Sequence, residues 1–136
     1  MLMKIARLAL LAAPLAVWAA AASAQDAGAG DPAAGEKVFK KCAACHTLSP
    51  DGKAKLGPDL YGVIGRTTGT AEGFDYSDVM VKAGEDGHVW TEEELSTFLE
   101  SPKKMFPGTK MTFVGLKKPE ERADVIAYIA SVSSGG

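Results

Sequence analysis

Cys42-Ala43-Ala44-Cys45-His46 constrains this chain more than any other stretch. Cysteines at i and i+3 share one face of a helical turn, close enough to grip one flat ligand, and a histidine follows at once. They are the only two cysteines, and His88 is the only histidine besides His46. No third or fourth cysteine therefore exists to complete a zinc centre. C-x-x-C-H is the pattern of c-type haem attachment. In it the two thiols add across the porphyrin vinyl groups as thioethers, and the adjacent imidazole falls under the iron as an axial ligand. The competing reading is a C-x-x-C thiol redox pair, which would bring a strand-rich βαβ pattern that this sequence lacks.

The first 24 residues read as a segment apart. Lys4 and Arg7 form a short basic region, Leu8 to Ala22 is apolar, and Ala22-Ser23-Ala24 supplies an A-x-A cleavage site. That is the layout of a secretory signal peptide cut after Ala24, and Pro14 interrupts its apolar run. The alternative is an uncleaved membrane anchor, since the run from Leu8 carries no charge before Asp26 and approaches spanning length. Residues 25–136 then form one domain of 112 residues. With Lys4 and Arg7 gone, 13 basic residues face 17 acidic ones, a formal charge of −4 before any cofactor is counted. Bulk charge of that sign excludes a nucleic-acid binder.

Along this domain the signals are helical. Gln25 to Gly30 reads as a loose Ala/Gly tail. Asp31-Pro32 reads as N-cap and first position of a helix whose apolar face continues through Val38, Phe39 and Cys42, delivering the cysteine turn. From Thr47 to Thr70 glycines and prolines are too frequent for regular structure, and an Ω-type loop folded on a ligand is predicted. Asp75 or Ser77 caps a short helix running to about Ala83, with Val79 and Met80 inward. Gly84 to Gly87 end it. Thr91-Glu92-Glu93-Glu94 is a capping box ahead of Leu95, Phe98 and Leu99, and Pro102 stops that helix. A loop from Met105 to Gly115 follows. Pro119-Glu120-Glu121 then opens a C-terminal helix with Val125, Ile126, Ile129 and Ala130 inward and Tyr128 at the border.

Taken together these segments closely resemble the class I cytochromes c, the small soluble family of mitochondria and bacterial periplasms. The resemblance covers nearly all of residues 25–136. It is carried by Gly35 and Phe39, Gly57-Pro58, Gly65-Arg66-Thr67-Thr68-Gly69, Gly73-Phe74-Asp75-Tyr76, Trp90, Pro102-Lys103-Lys104, Pro107-Gly108-Thr109-Lys110-Met111, and Glu121 to Asp124 with Tyr128. It implies an all-α fold, three to five helices and Ω-type loops wrapped around one covalent haem c. It implies His46 as proximal ligand and Met111, not Met80 or Met105, as the sixth. A soft, neutral thioether favours Fe(II), and it fills the last coordination position. The Pro58 carbonyl would take the His46 Nδ1 proton. Arg66, Tyr76 and Trp90 would serve a buried haem propionate, with Thr109 also in the cofactor site. Gly35, Phe39 and Tyr128 would join the terminal helices.

Two departures stand out. Phe98 replaces the usual mitochondrial tyrosine and Met80 the usual asparagine, which predicts a drier pocket and a firmly held Met111, since a half-satisfied buried network is worse than none. The segment Ala83 to Val89 is a few residues longer than in mitochondrial members, and His88 within it reads as a solvated loop residue. Lys40, Lys41, Lys55, Lys103, Lys104, Lys110, Lys117 and Lys118 fall in segments that surround the exposed haem edge in the family. Asp75, Asp78, Glu85, Asp86 and Glu92 to Glu94 fall away from it. Such a dipole would steer the edge toward acidic docking faces. The function implied is a monomeric periplasmic one-electron carrier, not an enzyme. In the family such carriers run between a cytochrome bc1 complex and a terminal oxidase, a reductase or a photosynthetic reaction centre. Other readings are a membrane-tethered cytochrome c and, if the iron had an open face, a haem peroxidase or gas-binding protein.

Overall fold

Asp31 starts the first helix in the way its chemistry predicts: its side chain accepts the Ala33 amide at 2.9 Å and Pro32 holds the first helical position. The computed structural model describes residues 29–135. The expected leader, residues 1–24, and its cleavage point lie outside the described residues. Five helices follow in order: α1 Pro32–Phe39, α2 Asp78–Glu85, α3 Glu92–Glu100, α4 Pro102–Met105 and α5 Pro119–Ser134. Among the described residues there is no strand, only an isolated antiparallel bridge between Thr67 and Val89. The βαβ frame of a thiol oxidoreductase is thus absent from them.

The two terminal helices pack together, the most extensive helix–helix contact among the described residues. Gly35 of α1 is buried directly against the Asp124 backbone of α5, and the Phe39 and Tyr128 rings meet at 5.5 Å. Asp124 also accepts the Asp31 amide at 2.8 Å, tying the start of α1 to α5. Gly30 packs against the Ala123 carbonyl, so the end of the expected loose tail is docked. Val125, Ile126 and Ile129 form the buried face of α5, while Ala130 is only half-buried.

Several boundaries differ from expectation for identifiable reasons. α2 runs on to Glu85, and its N-cap Ser77 makes no side-chain capping bond. In α3 the capping box is half made. Thr91 Oγ1 accepts the Glu94 amide at 3.0 Å, but the Thr91 amide donates to the Val89 carbonyl and the Glu94 carboxylate turns to His88. Pro102 both stops α3 and starts the single turn of α4, with extended Ser101 as hinge. Of the loop expected over residues 47–70, residues 47–60 close on themselves. Asp59 accepts from Thr47 Oγ1 at 2.7 Å and from the Ser49 amide, and the Leu60 amide donates to the Thr47 carbonyl.

At an exposed helical position, replacing glycine by alanine ordinarily stabilises by up to about 1 kcal/mol. At Gly35 the added Cβ would strike the Asp124 carbonyl and come within 2.8 Å of the Tyr128 Cβ. Gly35→Ala is therefore expected to reverse that sign and cost about 1–3 kcal/mol, read as a lower denaturant midpoint at unchanged slope.

Candidate haem-binding cavity

The turn after α1 places the cysteines. Amides of Cys42 and Ala43 donate to the Phe39 carbonyl, and those of Cys45 and His46 to the Cys42 carbonyl. The chain thus keeps turning past the helix end and sets Cys42, Cys45 and His46 on the wall of one cavity of about 460 Å³. Every residue expected at the cofactor lines it: Cys42, Cys45, His46, Pro58, Arg66, Tyr76, Trp90, Thr109 and Met111. The remaining lining is mostly apolar, from Leu60, Val63, Met80, Leu95, Phe98 and the inner face of α5 among others. Met80 and Phe98 are both buried there, so the two departures from the mitochondrial pattern add hydrocarbon to this wall.

His46 is held for ligation. Its Nδ1 lies 2.7 Å from the Pro58 carbonyl. A carbonyl only accepts, so Nδ1 carries the proton and Nε2 keeps its lone pair. Burial pulls the imidazole pKa below its ordinary value, against the opposing pull of the Pro58 bond and of Asp59. The ring is kept in the neutral form that a metal requires. Burial pushes the Cys42 thiol up, partly offset by Lys41.

Met111 is delivered by a turn. The Thr109 amide donates to the Phe106 carbonyl at 3.0 Å across Pro107-Gly108, and Gly108 adopts φ +94°. Proline followed by a left-handed glycine is the chemistry of a type II turn. Thr109 Oγ1 then accepts the Met111 amide at 3.3 Å, and Lys110 Nζ donates to the Asp75 carbonyl and carboxylate at 2.7 and 3.0 Å. These bonds pin the methionine loop to the segment before α2.

The polar wall is likewise anchored. Arg66 donates to the carbonyls of Asp59 (3.1 Å) and Tyr61 (2.7 Å), and the Tyr76 hydroxyl accepts the Ala71 amide. Ser77, read from the sequence only as a possible cap, lines the cavity with a buried hydroxyl that has no hydrogen-bond partner. Its one sequence signal was a helix-capping residue type beside Tyr76. An apolar cavity walled by two thiols, a neutral imidazole, a thioether and an orphaned hydroxyl fits a covalently held haem.

Two expectations need correction. Asp75 lies beside Lys110, not away from the cofactor rim. His88 is not a solvated loop residue, because its ring is wedged between side chains and only 22 % exposed. Of the docking lysines, Lys41 and Lys110 line the cavity and the other six do not.

Gly57 is buried against the His46 ring, where a Cβ would meet Cε1 and come within 2.7 Å of Nδ1 and 2.9 Å of Nε2. Gly57→Ala is expected to push the ring off the Pro58 carbonyl. The haem should stay attached while the protein loses about 1–3 kcal/mol and shows high-spin iron in its absorption spectrum.

Residues 32–133 match the family model Cytochrome c. Cytochrome c2 of Rhodomicrobium vannielii is 47 % identical over 129 residues, covering 95 % of this chain and 97 % of that protein. Cytochrome c of Chlamydomonas reinhardtii is 52 % identical over 111 residues, covering 80 % and 96 %. Among solved structures, cytochrome c2 from Rhodospirillum centenum is similar with a TM-score of 0.71 at 45 % identity, covering 76 % of this chain and 99 % of that one. Cytochrome cH from Methylobacterium extorquens gives 0.68 at 43 %, covering 75 % and 99 %. The helical fold, and the spacing of Cys42 and Cys45 that holds one covalent haem c, agree with these matches. The chain belongs to the cytochrome c family and is a class I c-type cytochrome.

Proposed function

We propose that this chain is a one-electron carrier exported to the periplasm by residues 1–24, in which His46 and Met111 would hold the haem iron. The haem supplies a reversible one-electron change at its iron. The observation that carries the reading is that Met111 lines the same cavity as Cys42, Cys45 and His46. An imidazole from one segment and a thioether from another would hold the iron, and with both bound it would have no position left for oxygen or a substrate. Electron exchange is the chemistry that remains.

The absorption spectrum of the exported protein tests this, taken oxidised and then reduced, with imidazole added to the ferric form last. A low-spin c-type spectrum is expected, with a methionine–iron charge-transfer band that persists through neutral pH and yields to imidazole only slowly. Met111→Ala should abolish the band and bind imidazole at once, whereas Met105→Ala should keep it. High-spin iron in the unmodified protein, open to ligand immediately, would overturn the reading in favour of an enzyme or gas binder.

Redox partners of this carrier are an electron donor such as a cytochrome bc1 complex and an acceptor such as a terminal oxidase, a reductase or a photosynthetic reaction centre. It meets them as a monomer through small, transient contacts. Lys40, Lys41, Lys55, Lys103, Lys104, Lys110, Lys117 and Lys118 steer those encounters through charge, which salt screens within about 10 Å at 0.1 M ionic strength. Electron-transfer rates with an acidic-faced partner are expected to fall several-fold as ionic strength rises over this range. Rates that stay level in stopped-flow measurements would remove the steering role.

A further inference from the structure

His88 gathers contacts that neither axial ligation nor the docking lysines use. Its backbone is tied on both sides, the amide donating to the Ala83 carbonyl at 2.9 Å and the carbonyl accepting the Thr68 amide at 3.0 Å. Its ring stands edge-on to Trp90 at 5.1 Å and to Phe106 at 5.5 Å. Trp90 lines the haem cavity, and Phe106 accepts the amide that closes the turn leading to Met111. The imidazole is therefore one layer behind the cavity wall.

Both ring nitrogens are engaged. Nε2 lies 3.0 Å from Glu94 Oε2, and Nδ1 lies 2.5 Å from the hydroxyl of Thr68, a residue only 1 % exposed. A carboxylate only accepts, so Nε2 carries a proton. Nδ1 of the neutral ring then accepts from the Thr68 hydroxyl, and Nδ1–H of the protonated ring donates to it. A hydroxyl serves both needs by rotating. The ring can thus gain a charge in place with no hydrogen bond lost. The elements packed around it carry Asp78, Lys82, Glu85 and Asp86 in and after α2, Glu92 to Glu94 and Glu100 in α3, and Lys103 and Lys104 in α4. Of these, Glu94 alone bonds the ring, and Lys82 is paired with Asp86.

We propose that His88 is a positioning residue for Trp90 whose protonation makes the haem's midpoint potential depend on pH. An imidazolium behind the wall disfavours the extra positive charge of ferric iron, so the protonated ring raises the potential. The potential then falls as rising pH removes that proton. By linkage, adding one electron at the iron draws a fraction of a proton from solvent onto Nδ1, and oxidation returns both.

The inference rests on the haem occupying this cavity, and the test separates the two. His46 is the only other histidine and is the proposed iron ligand, so His88 should give the single titrating imidazole signal in proton NMR of the haem-loaded protein. Its titration midpoint should lie at higher pH in the ferrous than in the ferric form. Coincident midpoints, with a c-type spectrum intact, would overturn this inference alone. A protein with no c-type spectrum would remove the haem assignment and this inference with it. Potentiometry supplies the second arm. His88→Gln should flatten the dependence of midpoint potential on pH. Glu94→Gln should move it to lower pH, because the charge that favours imidazolium is gone. A purely structural role would displace the potential equally at every pH, and an unchanged slope in His88→Gln would overturn the proposal.

Discussion

Val63, Met80, Trp90, Leu95, Phe98, Val125, Ile126 and Ile129 are at once buried hydrophobic side chains of the fold and lining of the cavity. Much of the apolar surface in this chain faces one shared space. A domain of about a hundred residues buries only about two-thirds of the surface its unfolded chain exposes, so it has little core to spare on an unfilled centre. Filling that centre with a flat apolar ring converts lining into packed core, at about 25 cal/mol for each Å² removed from water. The thioethers make the filling permanent. What stands without it is the packing of the terminal helices, where Gly35, Phe39 and Tyr128 meet. The ligand loops depend on both: the cysteine turn grows from the end of α1, and Met111 reaches the cavity from the chain between α4 and α5.

Much of this was legible because the sequence states it locally. Cys42, Cys45 and His46 announce their cofactor by spacing, Asp31-Pro32 and Pro119 mark helix starts, and Pro107 to Met111 stand out through the family resemblance. What escaped is non-local. His88 sits in a stretch rich in glycine and acids and reads as solvent-facing. Its burial comes from Thr68, twenty positions earlier, and from Phe106, much later in the chain. The lost half of the capping box has the same origin, since Glu94 finds a better partner in His88 than in the Thr91 amide. Asp75 and Lys110 pair across 35 positions. No periodicity or cap rule reports such contacts.

These pairings also redistribute the surface charge. The two lysines that line the cavity are the compensated ones: Lys110 faces Asp75 at 3.0 Å and Lys41 faces Glu121 at 3.6 Å. Lys55 and Lys117 donate to the carbonyls of Ala43 and Glu100, which orients them without cancelling their charge. Among the described residues Lys40, Lys103, Lys104 and Lys118 make no ion pair. Exposed pairs contribute at most about 1 kcal/mol to stability. Beside these two paired lysines, Leu56 lines the cavity while 81 % exposed, so an apolar side chain meets solvent at its edge.

A pocket that hosts electron exchange must accept a unit change of charge without rearranging, because fixed dipoles cost no reorganisation at the moment of transfer. Three polar groups of this wall are fixed by backbone partners: His46 by Pro58, Arg66 by Asp59 and Tyr61, Tyr76 by the Ala71 amide. Ser77 differs from these, its hydroxyl buried with no protein partner. Behind the wall the arrangement differs in kind. His88 is held as tightly as any of these groups, yet the Thr68 hydroxyl can reverse its role, so adding a proton there asks for one O–H rotation and no heavy-atom movement. Rigidity at the iron and sensitivity to protons are therefore compatible here. They reside in different layers, and Trp90 belongs to both.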